Sequence, residues 1–558
     1  MILQTMTEYY NEQLATGNPL YAPPGMELKR IHFVLLINLD GVLIDVEQLQ
    51  EKVSVAKSRQ RGGKDAPLTA NRMWDSLGYV TGYASDLQQQ VSAKRQYRSF
   101  VDEVETLCRK FPENRSFRAV YRFYSQTEQI ERLFQHPLWE KIASQKGHNL
   151  SFRLVGEAML AAQQQELCQA DDDTAKGHST CLVSGKKANI QLKHPALYVP
   201  GGAGTGSKLI AFTKMCGYDS YYKHGGENAP VSVEVAESYA AALTGLLQQN
   251  SENNVVINKI SFLYFTLPNT DFNRIFHSLL NPSVKTCREE VFTILKEYSH
   301  REEEFVLMAI IPNAARLSVR LFLRTTIGVV VKNIRQFYEE MELSLAYSNQ
   351  EALSMMSPLF AASPQGDISR LAPQLVVDYL NAIVTAAPLP VTLQSELLDR
   401  IREKRKPGGI TTSLLKCYLI RNQQNHIPMA LDKENKNIGY LLGRTLAIVE
   451  RAQELSTPGI NYTIRDTYYH VISVTPSAVF NRLMGLSSAY FRKIASHGTA
   501  VFLKSQLSEV IGMLDDGKIP LRLSIDDQNC FALGYFHQRQ TYFTKKERQD
   551  EQDNTKQI

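Results

Sequence analysis

The hydrophobic period of this chain changes once, and that change limits the fold more than any other feature. Residues Arg316–Arg324 (RLSVRLFLR) alternate: Leu317, Val319, Leu321 and Leu323 fall on one face, and Arg316, Ser318, Arg320 and Arg324 on the other, with Phe322 the exception. Period two over such a run specifies a half-buried strand. The continuous apolar run Phe305–Ile311 precedes it, and Pro312–Asn313 is placed to turn the chain between them. From about Asn349 the period becomes that of a helix. Arg370–Ala387, Val391–Lys404, Thr411–Asn422, Asn437–Leu455, Ala478–His497 and Ala500–Leu514 each carry 3.6-residue apolar spacing, punctuated by Pro and Gly. The expected fold is therefore α+β. An N-terminal mixed α/β domain with antiparallel strands (1–345) precedes an all-α helical-bundle C-terminal domain (346–558).

Before the strand pair, Lys29–Asn38 (KRIHFVLLIN) and Val42–Ile44 flank Asp40–Gly41, a hairpin signal. Residues 51–67 are polar, basic and turn-rich and read as a surface loop, as does Asp171–Gly177; helices are expected between Asp86 and Leu167, and a disordered polar tail at the end. The seven cysteines are scattered without a CxxC pair, which suits reduced thiols. No signal peptide and no run of 18 uncharged apolar residues is visible, so the expectation is a cytoplasmic protein that does not enter a membrane. A net charge of +5 permits an acidic partner without demanding one.

Residues 181–232 differ in character. Pro200-Gly201-Gly202-Ala203-Gly204-Thr205-Gly206-Ser207-Lys208 holds four glycines in six positions, so the backbone can approach a phosphate or a groove without Cβ obstruction. Gly201 and Gly206 have P-loop spacing, but Ser207 precedes Lys208, the reverse of the P-loop order, and KHPALYVP is a poor central strand; GxGxxG fails as well. Nucleotide binding is thereby disfavoured, leaving a structural turn or a nucleic-acid contact. Between Thr174 and Pro230, seven cations (Lys176, Lys186, Lys187, Lys193, Lys208, Lys214, Lys223) face only Asp219 and Glu227, with Tyr198, Phe212, Tyr218, Tyr221 and Tyr222 interleaved. Cations for phosphates and flat faces for bases suit nucleic acid. A solvated lysine-rich surface over packed tyrosines fits the same composition.

Two further basic stretches stand out. Arg316, Arg320 and Arg324, followed by Lys332 and Arg335, meet no acid between Asn313 and Tyr338; a phosphate-holding face and a face met by acids from elsewhere in the fold are both open. Leu398–Arg421 sets seven cations against Asp399 and Glu403, part of which is ordinary placement of cations at a helix C-terminus. Chemistry is poorly represented. His178, Cys181, Cys216 and His224 have no tight zinc-ligand spacing, and no GxSxG, HExxH, nuclease or helicase signature occurs. No catalytic residue, metal or cofactor is expected. The rivals to a DNA-binding subunit are a metal-dependent nuclease or nucleotide-dependent enzyme using the glycine loop, and an RNA-binding scaffold.

The sequence also resembles a known family. Cys181-Leu182-Val183-Ser184-Gly185, His194-Pro195, the glycine loop, Phe212 and Asn228-Ala229-Pro230-Val231-Ser232 resemble the signature of the large subunit of type I-C CRISPR Cascade complexes. So, in order, do Thr69-Ala70-Asn71 with Trp74-Asp75 and Gly78-Tyr79-Val80, then Pro312–Arg320, Leu419–Asn422, Met429–Asp432, Tyr440–Arg444, Pro458–Asn461 with Ile464–Asp466, and Phe531–Gln540. The resemblance spans nearly the whole chain. It implies a non-catalytic subunit that reads a short PAM in double-stranded DNA, helps open the duplex, holds the displaced strand and recruits a helicase–nuclease. Its partners would be a guide RNA-containing Cascade backbone and small subunits. By analogy with Cas9-type effectors, guide pairing would read the sequence while the protein reads PAM and shape. The PAM-side residues implied are Asn71, Arg72, Gly201, Gly202, Gly204, Thr205, Gly206, Lys208, Lys223 and Asn228. Those for the displaced strand or phosphates are Arg316, Arg320, Arg324, Lys332, Arg335, Arg444 and Arg465. Where the family usually has Gly-Ala-Gln-Ser-Ser-Gly, this chain has Gly202, Ala203, Gly204 and Thr205 in the middle places, so the Gln amide is absent at Ala203 and the expectation moves to the backbone, for minor-groove readout. Met429 is further expected to serve as an internal start, making 429–558 separately as a small subunit.

Overall fold

The computed structural model describes residues 1–59, 69–169, 178–212, 219, 221–248, 251–281, 286–343, 351–352, 354–423, 426–514 and 518–555. Lys176, Lys214, Cys216, Tyr218, the 171–177 loop and the 60–67 part of the expected 51–67 loop lie outside the described residues. Backbone contacts divide the chain into two compact units. Unit 1 is Met1–Tyr198 with Ala203–Gln248, and unit 2 is Val199–Gly202 with Gln249–Ile558. This division differs from the expected boundary after residue 345.

In unit 1, β2 (Phe33–Ile37) and β3 (Leu43–Gln48) form the expected antiparallel hairpin. Asn38 Oδ1 accepts the N–H groups of Asp40 and Val42, and Gly41 takes φ +80°, a left-handed turn position that suits glycine. The run Lys29–Asn38 is two strands rather than one. Its start belongs to β1 (Met26–Arg30), which pairs with β4 (Lys52–Ala56), so the expected loop at 51–67 begins as a strand. The sheet order is β3-β2-β6-β5, with β5 at Trp74–Ser76 and β6 at Asn149–Leu154. The β2–β6 pair is parallel, an exception to the expected antiparallel pattern. Helices α1 (Ile2–Ala15), α2 (Leu87–Lys110) and α3 (Arg115–Ser125) belong to this unit. Asp86 and Asn114 cap the latter two by accepting the N–H groups of Gln88 and Phe117. Phe100, Phe117, Phe123 and Phe152 fill the core between sheet and helices.

Small strands β7 (His178–Thr180) and β8 (Lys187–Asn189) precede α4 (Val233–Leu246).

Unit 2 contains an antiparallel sheet, β13-β12-β10-β9, built from β9 (Asn254–Ile257), β10 (Ile260–Leu267), β12 (Glu304–Asn313) and β13 (Arg316–Thr326). A two-residue strand β11 (Thr286–Cys287) pairs separately with β14 (Glu351–Ala352). The β12–β13 hairpin is as expected except at its turn. Pro312 stays in the strand opposite Leu317, and the chain turns at Ala314, φ +51°.

Helices α5 (Ile327–Glu340), α6 (Pro373–Thr385), α7 (Val391–Lys404), α8 (Gly409–Gln423), α9 (Ile438–Ser456), α10 (Ile464–Ile472), α11 (Phe480–Lys493) and α12 (His497–Gly512) follow. The tail expected to be disordered continues a last helix, α13 (Ile525–Thr555). One hydrophobic cluster runs from Val255 and Phe305 through Leu446 to Phe531 and Tyr535, so the sheet and all these helices share a core. That shared core is why the division falls before β9, and it also crosses Met429.

Helices α9 and α13 approach each other through glycine. A Cβ at Gly443 would overlap the Phe531 carbonyl and lie 2.7 Å from Tyr535 N; one at Gly534 would overlap the Tyr440 carbonyl. The motifs Tyr440–Arg444 and Phe531–Gln540 are thus two sides of one helix contact.

Candidate nucleic-acid interface

The described residues of 181–232 form a small framework on the N-terminal half of α4. Cys181 sits in its interior. The turn after it closes with Cys181 N–H donating to the Lys186 carbonyl (2.9 Å) and Gly185 N–H to the Cys181 carbonyl (2.9 Å). The N–H groups of Ser232 (3.3 Å), Val183 (3.4 Å) and Ser184 (3.5 Å) point at Cys181 Sγ. Burial pushes the thiol up, but these donors, Ser184 foremost, outweigh it and bring it down to about 7. Leu182 N–H donates to the Pro230 carbonyl (2.8 Å) and Gln191 N–H to that of Val231 (2.9 Å), tying the two ends of the segment together. Ser232 then caps α4 by accepting Val235 N–H. From α4, the Tyr239 hydroxyl meets Nδ1 of the buried His194 at 2.8 Å. Burial first, and the Lys208 cation second, lower the His194 pKa to about 4, so its ring is neutral.

The glycine loop is a closed hairpin. Leu197 and Ser207 exchange both backbone hydrogen bonds at 2.8 Å. Within it, Gly202 N–H donates to the Val199 carbonyl (2.9 Å) and Gly206 N–H to that of Ala203 (2.8 Å), giving two successive turns. Gly201 and Gly206 take φ +75° and +80°. A Cβ at Gly206 would press on Ala196 Cβ at 3.0 Å, so this position needs glycine twice over, whereas Gly204 has nothing within 4 Å. Gly201, Gly204 and Thr205 are exposed, and Lys208 is half-buried beyond the hairpin.

A second loop projects nearby in sequence. The Asp219 carboxylate accepts Gly225 N–H (3.2 Å) and Asn228 Nδ2–H (2.9 Å) and meets His224 Nδ1 (3.4 Å). The Gly225 bond, then the His224 contact, hold its pKa below the usual carboxylate range. Asn228 also donates to the Gly225 carbonyl (3.1 Å), so its amide braces the loop. Lys223 is exposed. Tyr221 and Tyr222 are 91% and 100% exposed, with φ +50° and +63°. Tyrosine is uncommon at positive φ. In the sequence only the Tyr-Tyr-Lys run before Gly225-Gly226 signalled this display, and composition alone left both rings open to burial.

Other expected site residues are spent on the fold. Asn71 is 4% exposed; its Oδ1 accepts Arg59 N–H (3.0 Å), and its own N–H donates to Asp75 (2.8 Å). Arg72, also buried, donates to the Leu167 carbonyl (3.1 Å) and meets Glu103 (3.4 Å). Neither side chain is available to a groove as placed here.

In unit 2, Arg444 is 1% exposed, bonded to Gln538 (3.1 Å) and Glu509 (3.4 Å). Arg465 pairs with Asp466 (2.9 Å) and the fully buried Glu450 (3.5 Å). Arg444 belongs to the interior of the helices and Arg465 to their buried charge network, which corrects the expectation of a phosphate contact for both. The Leu398–Arg421 cluster is compensated in part: Arg400 pairs with Glu403, Arg402 with Asp399 (2.8 Å) and Arg421 with Glu340 (2.5 Å), and Lys416 donates to the Glu342 carbonyl, while Lys404, Arg405 and Lys406 are exposed.

The strand arginines divide. Arg324 is held by Glu304 (2.6 Å), and Arg335 by Glu339 (2.8 Å). Ala309 pairs with Leu321 and Ile310 with Val319, so a bulge leaves Arg320 without a cross-strand partner on edge strand β13. Arg316, Arg320 and Lys332 are exposed.

No group of three or more His, Cys, Asp or Glu is placed to hold a metal among the described residues, and the His178/Cys181/Cys216/His224 set falls partly outside them. No described helix is long and apolar enough to cross a membrane.

The chain is thus an α+β protein with an exposed glycine hairpin and an exposed lysine loop on one framework. Residues 6–543 match the family described as CRISPR-associated protein (Cas_Csd1), and the chain belongs to that family, the large subunit of type I-C Cascade. No curated protein matches the sequence.

Proposed function

We propose that this subunit recognises PAM in double-stranded DNA through the backbone of the Gly201–Gly206 hairpin, with Lys208 and Lys223 on flanking phosphates. It helps open the duplex, holds the displaced strand with Arg316, Arg320 and Lys332, recruits the helicase–nuclease, and carries out no chemistry itself. The observation that carries this reading is the Leu197–Ser207 hairpin. It is locked at its base, and no side chain between Gly201 and Gly206 is larger than that of Thr205. A rigid projection with bare backbone suits close approach to a groove, and cations beside it supply the sequence-independent attraction.

Guide-loaded complexes carrying Lys208→Glu or Lys223→Glu should bind PAM-containing duplex about tenfold more weakly, with a shallower salt dependence. Wild-type affinity in both would refute the assignment. Arg320→Gln should reduce protection of the displaced strand while PAM binding persists. With magnesium and no added nuclease the complex should leave DNA intact; cleavage would mark the chain as an enzyme.

Production of 429–558 as a separate small subunit belongs to the same proposal. Replacing Met429 with a non-start residue should abolish the short product.

A further inference from the structure

Where β10 ends the chain enters the helix Phe272–Leu280, and beside that junction unit 2 carries a cleft of about 420 Å³. The residues before β9, the turn at 298–303 and the first residue of α5 complete its walls. The lining sets three carboxylates, Glu252, Asp271 and Glu303, against two guanidinium groups, Arg274 and Arg301. Arg301 is already spent: its Nη1 donates to Glu303 (3.0 Å), and the group lies 5.5 Å from the centre of the Tyr298 ring. Glu252 and Asp271 remain against Arg274, all three exposed at the rim.

The walls are fixed from behind. Thr270 N–H donates to Thr266 Oγ1 (2.8 Å), and Asn253 Nδ2–H to the Tyr264 carbonyl (2.9 Å). Gly328 N–H donates to the Arg301 carbonyl (2.9 Å). A Cβ at Gly328 would crowd the Arg301 and Ser299 carbonyls, each at 2.9 Å, so glycine lets α5 hold the 298–303 turn this closely.

Asn273 is the buried member of the cleft, 5% exposed. Its Nδ2–H donates to Asn269 Oδ1 (2.7 Å), while its own Oδ1 accepts no hydrogen bond among the described residues. A buried acceptor left without a donor is costly, so this oxygen points to a ligand that brings one.

We infer that this cleft receives an arginine side chain from a neighbouring protein subunit of the complex. A guanidinium group carries donors only, arranged in a planar fork, and can meet the Asn273 oxygen and a rim carboxylate together. A phosphate chain meets the opposite: the three carboxylates repel it, and the open position on Asn273 is an acceptor. The cleft is therefore a protein-docking site, distinct from the basic surfaces. The inference rests on membership of the complex and not on the DNA-binding reading.

The test measures how tightly the full chain joins a guide-loaded complex assembled without it. Glu252→Arg combined with Asp271→Arg, both at exposed positions, should weaken joining about tenfold with an unchanged melting temperature. At concentrations that restore full assembly, PAM-duplex binding should stay within about twofold of wild type, because the cleft makes no DNA contact. A photo-crosslinking residue in place of Arg274 should label one protein subunit, on a peptide that contains arginine. Changing that arginine to Glu should restore joining by the doubly substituted chain. Undiminished joining by the double variant, an adduct on nucleic acid or on a peptide without arginine, no adduct at all, or no restoration by the charge swap would each overturn the inference. Absence of PAM-dependent binding by the wild-type complex would refute the proposed function and leave these results standing.

Discussion

The framework built from the described residues of 181–232, which lie in unit 1 apart from Val199–Gly202, and the α9–α13 contact of unit 2 are the two most motif-rich parts of this chain, and they use their motifs differently. In the framework, Cys181, His194 and Val231-Ser232 turn inward to fix two loops, leaving Gly204, Thr205 and Lys223 outside. In the α9–α13 contact the glycines set the helix spacing, and Arg444 lies between them in sequence with nowhere to go but inward. An arginine in a motif therefore says nothing about nucleic acid until its exposure is known. Exposed cations occur both inside motifs, at Arg316 and Arg320, and outside them, at Lys223 and Lys332.

The sharpest way to break this contrast is to disturb the buried network that holds Arg465. The Glu450 carboxylate is fully buried, accepts the Tyr535 hydroxyl (2.5 Å) and the Thr463 hydroxyl (2.8 Å), and faces Arg465 and Arg539, each at 3.5 Å. Glu450→Ala removes the buried carboxylate between two guanidinium groups, leaving Arg465 only Asp466 and Arg539 only Glu454, and should cost unit 2 about 3–5 kcal/mol, read by chemical denaturation. A loss below about 1 kcal/mol would show that these arginines reach solvent and would return Arg465 to the surface. Next in size is Gly443→Ala. Its methyl meets backbone atoms of α13, which cannot rotate away, so about 1–3 kcal/mol is expected from overpacking. An unchanged melting temperature would mean the helices part without cost.

How far the sequence disclosed this arrangement follows from what each signal reports. Period reports burial along one element, so Val391–Lys404 appears with its ends unchanged and the β12–β13 hairpin differs only at its turn. Period does not report which elements share a core. Period alone therefore groups the sheet of unit 2 with the N-terminal domain, although Phe305 and Phe531 lie in one cluster. The split of Lys29–Asn38 and the strand at Lys52–Ala56 depend on pairing between distant segments, which local composition cannot see. The burial of Arg444 is hidden from the sequence for the same reason: its partners Gln538 and Glu509 lie far along the chain.

Acid should affect both regions through a neutral histidine. His194 in the framework has its pKa lowered to about 4, and His537, bonded to Tyr440 (2.9 Å), to about 3, burial being the main cause in each. Both folded values lie below the ordinary 6.5, so the unfolded chain takes up the proton first. Stability is then full above about pH 6.5 and is lost progressively as pH falls toward 4. His194→Gln should flatten that slope for unit 1 by one proton, measured as the pH dependence of the denaturation midpoint. An unchanged slope would mean that His194 is protonated, or open to solvent, in the folded state.

The smallest expected effect on stability is the most informative about the loop. Gly204 has no positive φ and nothing within 4 Å of a built Cβ. Gly204→Val should therefore change stability by less than about 0.5 kcal/mol. If the hairpin meets DNA through its bare backbone, the added branches hold it off the groove and PAM-duplex affinity should fall several-fold with the fold intact. Gly443→Ala gives the opposite pattern, a loss of stability at a position that no ligand reaches. Should Gly204→Val bind PAM duplex like wild type, the backbone of the loop is not the contact, and the cations Lys208 and Lys223 would have to carry recognition through phosphates alone.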